Sequence, residues 1–275
     1  MKRIMCLVLF VWVCVGSADS YTDADTAYEL GDYKKAARLF KRSCDEGNAR
    51  GCNDLGYMYD MGEGVKRSGE KAVEFYAIAC DGEDDLACTN LGYMYEEGDG
   101  VAKDDKKAAL FYEKGCNLGD GRGCNNLGVM YDEGIGVKED TKKAVMLFEK
   151  SCNMDYALGC TNIGYMYDEG RGVKQDHKKA AELYAAACEE GDARGCNNLG
   201  VLYEDGDGVK KNVTQAAMLY KDACDKDDGL GCYNIAVMYE KGIGVSKDKK
   251  RAVEFYQKAC SLYEEDGCKD YERLK

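Results

Sequence analysis

The sequence predicts an all-α protein, a right-handed α/α solenoid of short tandem repeats, and three observations carry that prediction. Cysteines fall in pairs at Cys44 and Cys52, Cys80 and Cys88, Cys116 and Cys124, Cys152 and Cys160, Cys188 and Cys196, Cys224 and Cys232, and Cys260 and Cys268. Each pair is 8 residues apart and recurs after 36 without a slip. A period of this size is the mark of stacked helical units. The composition agrees, with 45% hydrophobic and 32% charged residues and no proline in 275, which suits helices built evenly along a chain. Within each unit apolar residues recur with helical spacing, which is the third observation.

The chain opens MKRIMCLVLFVWVCVGSADS, a basic start followed by an apolar run and then small residues. This is the layout of a secretory signal peptide over residues 1–18, with cleavage expected after Ala18. A lipid anchor would need a small residue before the modified cysteine, whereas Cys14 follows Val13. No second long apolar run follows, so no membrane anchor is expected in the mature chain. Cleavage would leave an even set of cysteines, and in an exported protein these are expected to be oxidised. The predicted location is secreted or periplasmic.

The first block of each unit reads CNDLGYMYDMGEGV, CTNLGYMYEEGDGV, CNNLGVMYDEGIGV, CTNIGYMYDEGRGV, CNNLGVLYEDGDGV or CYNIAVMYEKGIGV. Cys52, Leu55, Gly56 and Tyr59 sit at i, i+3, i+4 and i+7, one buried stripe of a helix. Gly56, Gly92, Gly128, Gly164 and Gly200 are poor helix formers, costing up to about 1 kcal/mol each against alanine, so a close helix crossing is expected there. Gly62, Gly98, Gly134, Gly170, Gly206 and Gly242 should end these helices as left-handed caps.

The second block reads KAVEFYAIAC, KAALFYEKGC, KAVMLFEKSC, KAAELYAAAC, QAAMLYKDAC or RAVEFYQKAC, pairing a small with a large residue four apart (Ala72 and Tyr76, Ala108 and Tyr112). Three residues earlier stand Ser68, Asp104, Asp140, Asp176, Asn212 and Asp248, all good N-cap residues. Two antiparallel helices of roughly three turns per unit follow from this reading, marginal alone and dependent on stacking. Bridging cysteines 8 apart closes the short link between units and is favoured, although pairing Cys52 with Cys80 across the longer loop is also geometrically conceivable.

The columns LGYMYEEGDGV and KAALFY resemble Sel1-like repeats, relatives of the tetratricopeptide repeat. With a cysteine pair in every unit behind a signal peptide, the chain resembles the Helicobacter cysteine-rich protein family. The expected organisation is a degenerate N-terminal repeat serving as a cap over 19–44, six Sel1-like repeats over 45–260, and a C-terminal capping helix over 261–275. The resemblance implies a scaffold for protein assembly. It also implies exported penicillin-binding proteins with slow β-lactam hydrolysis, and binders of peptides or cell-wall fragments.

The residues themselves carry no complete catalytic motif. A formal charge of −13 offers no footprint for nucleic acid, and a single histidine cannot build a multi-histidine metal site, so neither a metal nor a cofactor is expected. SxxK occurs at Ser68/Lys71 and Ser246/Lys249 without SDN or KTG companions. Ser68 also falls in the N-cap column, which argues for a cap. The GxGV loops follow helices and read as turns. His177 follows the N-cap Asp176 and reads as a solvated residue. No CxxC occurs, which disfavours a disulfide oxidoreductase.

A repeat array binds through a helix face left free by packing. Opposite the Cys52 and Gly56 stripe lie an amide column, with Asn90, Asn126, Asn162, Asn198 and Asn234, and an exposed column that includes Tyr93 and Tyr165. Beside them run Asp60, Glu96, Asp132, Asp168, Glu204 and Glu240. Amides can hold an extended backbone and tyrosines can stack on sugars or side chains; equally, the amides can brace neighbouring repeats. The expected partner is a peptide, a peptidoglycan fragment or a protein on the concave face, with β-lactams implied only by the resemblance. The protein is expected to be a monomer.

Overall fold

In the computed structural model, residues 20–275 are described; the expected signal peptide over 1–18 lies outside them. The described residues contain fifteen α-helices and no strand, an α/α solenoid. They fall into two compact units, divided after Gly82.

Unit 1 contains α1 (Ser20–Glu29), α2 (Tyr33–Asp45), α3 (Ala49–Met61) and α4 (Gly69–Asp81). Unit 2 contains α5 (Asp85–Glu97), α6 (Asp105–Leu118), α7 (Gly121–Glu133), α8 (Thr141–Cys152) and α9 (Ala157–Glu169). It continues with α10 (His177–Glu189), α11 (Ala193–Asp205), α12 (Val213–Asp225), α13 (Gly229–Lys241), α14 (Lys249–Ser261) and α15 (Glu265–Leu274).

Every predicted second-helix cap is present. The side chains of Ser68, Asp104, Asp140, Asp176, Asn212 and Asp248 each accept a hydrogen bond from the backbone N–H three residues on. Gly62, Gly98, Gly134, Gly170, Gly206 and Gly242 end the first helices in the left-handed conformation. The first helices have caps of their own, which the cysteine-centred reading passes over. Asn48, Asp84, Asp120, Asp192 and Asp228 accept from their helix starts, and Tyr156 and Glu264 in that column make no such bond.

The mid-helix glycines are explained by contact with the large residue of the second helix. A Cβ on Gly128 would lie 2.6 Å from the Phe148 ring, and one on Gly164 2.8 Å from Tyr184. Tyr76, Tyr112, Tyr184, Tyr220 and Tyr256 are among the largest fully buried side chains, and alanines such as Ala108, Ala144 and Ala180 are wholly buried beside them. Burying one such aromatic ring contributes about 1.5–3 kcal/mol, so the aromatic and the glycine facing it are the main packing unit of each repeat.

Within unit 2 the first helices α5, α7, α9, α11 and α13, and then α15, each approach the next in the series, whereas consecutive second helices do not approach as closely. Unit 2 therefore curves with its first helices on the inner side. The bridges join cysteines eight apart, as favoured from sequence: Cys44–Cys52 in unit 1, and Cys116–Cys124, Cys152–Cys160, Cys188–Cys196, Cys224–Cys232 and Cys260–Cys268 in unit 2. Cys80 and Cys88 are disulfide-bonded as well. Cα–Cα separations of 4.4 to 4.6 Å are those of unforced links. No helix among the described residues is long and apolar enough to cross a membrane.

Candidate functional site

The inner side of unit 2 is where the sequence-predicted site residues gather. Tyr93 on α5 and Tyr165 on α9 point outward with 52% and 43% exposure, and Val201 on α11 is exposed beside them. Asn90, Asn126, Asn162, Asn198 and Asn234 are each half-buried, one position away from a more deeply set residue. That deeper column, Thr89, Asn125, Thr161 and Asn197, is buried.

Two of the amides reach across repeats. Asn162 donates from Nδ2 to Asn125 Oδ1 at 2.7 Å, and Asn234 donates in the same way to Asn197 at 2.9 Å. Asn125 and Asn197 in turn donate to Asn126 and Asn198 at 3.3 and 3.4 Å. Thr161 donates to the helix-capping carboxylate of Asp192 at 2.7 Å. The amide column is thus a ladder that spends part of its hydrogen-bonding capacity on bracing consecutive repeats, while the tyrosines spend none of their outward faces on it.

The acidic column is also tied down. Tyr112 donates its phenol proton to Glu96, Tyr220 to Glu204 at 2.8 Å, and Tyr256 to Glu240 at 2.7 Å. Burial, foremost, together with these carboxylates pushes the three phenols well above the ordinary tyrosine range, so they remain proton donors at any physiological pH. Asp132 pairs with Arg171 at 2.9 Å, and Arg273 holds Glu240 through two nitrogens at 2.8 Å each, keeping that carboxyl below its usual range. The inner side is therefore a fixed array of amides, carboxylates and outward tyrosines.

His177, at the start of α10, is not merely solvated: its Nδ1 lies 2.6 Å from Asp168 Oδ1. Hydrogen bonding to that carboxylate, foremost, raises the imidazole above its ordinary value. The stabilisation is present in full below the unfolded-state value of about 6.5 and is lost as pH rises through the folded-state value. We expect His177→Ala to lower the melting temperature at about pH 5 and to leave it unchanged at about pH 9. The pair is part-exposed, so the effect stays under about 1 kcal/mol; an equal deficit at both pH values would show that lost packing, not the ion pair, is responsible.

In the first SxxK pair the serine and the lysine are directed to different partners. Ser68 Oγ accepts the Lys71 backbone N–H at 3.3 Å as a helix cap, while Lys71 Nζ is directed to Tyr59, 3.4 Å from its hydroxyl. Ser246 is exposed in the loop before the cap Asp248. The second glycine of each GxGV loop has a role that the turn reading does not supply. At Gly136, Gly172, Gly208 and Gly244 a Cβ would come within 2.2 to 2.7 Å of backbone atoms at the start of the preceding second helix.

Comparison with known proteins agrees with this geometry. The Sel1 repeat family profile matches residues 27–48, 49–84, 85–120, 121–156, 157–192, 193–228 and 229–263. The chain belongs to the Sel1 repeat family. A Sel1 repeat protein from Oxalobacter formigenes is similar over 88% of this chain and 99% of its own, with 29% identity and a TM-score of 0.83. The Escherichia coli protective antigen c5321 covers 91% of this chain with 27% identity and a TM-score of 0.76, and 56% of its own length is matched. Among curated relatives, the Helicobacter pylori protein "Putative beta-lactamase HcpE" is 42% identical over 43 residues, which is 16% of this chain and 12% of the relative. "Putative beta-lactamase HcpD" from the same organism is 41% identical over 72 residues, 22% of each chain. The matched stretches thus span under a quarter of either relative's length. The resemblance to cysteine-rich Helicobacter proteins seen in the repeat columns is borne out in these alignments, and the protein is a disulfide-stapled Sel1-repeat scaffold.

Proposed function

We propose that this Sel1-repeat protein is an exported scaffold that binds a peptide, a cell-wall fragment or a partner protein on the inner side of unit 2. The observation that carries this reading is the column of outward tyrosines, Tyr93 and Tyr165, set on a rigid amide ladder and bordered by carboxylates. A rigid aromatic side chain supplies contact area at low entropic cost. Asn90, Asn126, Asn162, Asn198 and Asn234 contribute the hydrogen-bonding capacity that their mutual bonds leave over. The carboxylates favour a neutral or basic ligand, with affinity for a basic one falling as salt rises. The oxidised cysteines accord with a secreted or periplasmic location.

Capture of ligands from culture medium, periplasmic extract and wall digests on immobilised protein tests the reading. Tyr93→Ala with Tyr165→Ala should cut retention about tenfold, equivalent to about 1.4 kcal/mol, with helicity and melting unchanged. Asn162→Ala is expected to cost about 1–3 kcal/mol of stability instead, because Asn125 is left unpaired. Retention that survives the double tyrosine change would remove the inner side as the binding face. The second reading, slow β-lactam hydrolysis, rests on the names of the curated relatives; a chromogenic cephalosporin turned over by the native protein and not by Ser68→Ala or Ser246→Ala would put it first.

A further inference from the structure

A second surface, confined to unit 1, departs from the repeat pattern in its charge. α2 and α4 flank a groove with α3 between them, and two adjoining hollows of about 640 and 470 Å³ lie along it, sharing Tyr59 and Val65. Ala37 and Leu55, both buried, and the half-buried Tyr59 give the larger hollow an apolar floor. Tyr59 is itself stacked on Phe75 of α4, with ring centroids 5.6 Å apart. Lys34, Arg38 and Lys41 rim the larger hollow, and Lys66, Arg67 and Lys71 rim the smaller. Six cations around one groove stand out in a chain of formal charge −13.

The repeats of unit 2 provide the internal comparison. In two of them the lysine equivalent to Lys71 reaches the preceding second helix and meets a glutamate, Lys143 with Glu113 and Lys179 with Glu149, both at 3.8 Å. The position of Glu113 and Glu149 corresponds, 36 residues at a time, to Lys41 in unit 1. The position of Arg38 is Leu110, Met146, Glu182, Met218 and Glu254 in unit 2 and never a cation there. At the Lys41 and Lys71 positions unit 1 carries two like charges where those two repeats carry an ion pair; Lys221 and Arg251 repeat the like-charge arrangement in unit 2, so the cation that unit 1 alone adds is Arg38. Lys41 is partnered by Asp45 on its own helix, and Arg67 by Asp60 at 3.7 Å. Glu70 and Glu74 on α4 add negative charge nearby. Among the described residues no carboxylate pairs with Lys34, Arg38 or Lys66.

We propose that the groove between α2 and α4 docks an acidic peptide segment of a partner protein. A glutamate or aspartate of the partner sits between Lys41 and Lys71, in place of the glutamate that two repeats of unit 2 supply as Glu113 and Glu149. An apolar side chain of the same segment enters the hollow floored by Ala37, Leu55 and Tyr59. Arg38 presents a planar fork suited to a second carboxylate. A bilayer surface suits the groove less well, since its apolar atoms are recessed behind the cations, whereas interfacial binding calls for protruding apolar side chains. The site is separate from the inner side of unit 2, so its test does not depend on that reading.

The experiment titrates the full mature chain with a fluorescein-labelled hexapeptide alternating glutamate and leucine, read by fluorescence anisotropy at low and high salt. Binding should weaken with salt, and a glutamine-for-glutamate version of the peptide should bind roughly tenfold more weakly. Lys41→Glu, which restores the repeat's own ion pair, should weaken binding by roughly tenfold and leave the melting temperature unchanged or higher. Arg38→Ala should weaken binding while the circular dichroism spectrum is preserved. Lys106→Glu, at the position equivalent to Lys34 in unit 2, should change nothing. Equal affinity of the native protein and Lys41→Glu, an equal loss in Lys106→Glu, or tighter binding to phosphatidylglycerol vesicles than to the peptide would each overturn the proposal.

Discussion

Protein treated with excess thiol under mild denaturation is expected to melt tens of degrees below the oxidised form, because every repeat loses the closure of an eight-residue link. In the chain-entropy picture one such closure contributes about 2–3 kcal/mol, and helices of this length do not stand alone in water. The bridges sit in buried surroundings: Cys80, Cys88, Cys124, Cys196, Cys224 and Cys232 are inaccessible to solvent. Contributions from neighbouring repeats are coupled through shared interfaces, so they do not add simply. A single test is cleaner. Replacing Cys116 and Cys124 together by alanine should cost about 2–3 kcal/mol, or about 5–10 °C in melting temperature. The same change at Cys260 and Cys268 should cost less, since among the described residues α15 packs mainly against α14 and α13 and its fraying disturbs little else. Equal shifts at the two places, followed by thermal denaturation, would mean that the bridges act independently of their position in the stack.

Gly136→Ala should be among the most damaging single-methyl changes in unit 2. Gly136 has φ +67°, and an added Cβ would lie 2.4 Å from the Asp105 carbonyl oxygen. The left-handed conformation alone costs an L-residue about 1–2 kcal/mol, and forcing backbone from backbone adds about 1–3 kcal/mol. Gly191 provides the control: its φ is +97°, but a Cβ there would have no neighbour within 4 Å. Gly191→Ala should therefore cost only the conformational part, and urea denaturation of the two variants separates the terms. If both lose the same amount, the close approach of the loop to α6 is not what the glycine provides.

The same distinction runs through the whole molecule. Helix type, length, caps and cysteine register were determined by the sequence alone, because all are local. An N-cap needs a carboxylate, hydroxyl or amide oxygen two or three residues before its N–H donor, a left-handed cap needs a glycine, and a bridge across a short link needs two cysteines at constant spacing. Asp140, Gly134 and the Cys152–Cys160 pair were legible on those grounds. The mid-helix glycines were half legible. Their low helix propensity signalled a close crossing, but only packing named the ring of Phe148 or Tyr184 as the neighbour.

Other features depend on residues tens of positions apart, and no local pattern reports them. The second GxGV glycine looks like any turn residue until the preceding second helix is laid against it. The Asn column was equally compatible with groove and brace until Asn162 was placed beside Asn125, 37 residues away. His177, read as solvated, acquired a carboxylate partner from the helix before it. Lys41 is an unremarked surface lysine in the chain; its meaning comes from the groove, where unit 2 sets Glu113 against Lys143. Local chemistry writes itself in the spacing of neighbours along the chain. The stacking of repeats brings together side chains a full period or more apart, and charge and hydrogen-bond complementarity across that distance is decided only when the chain has folded.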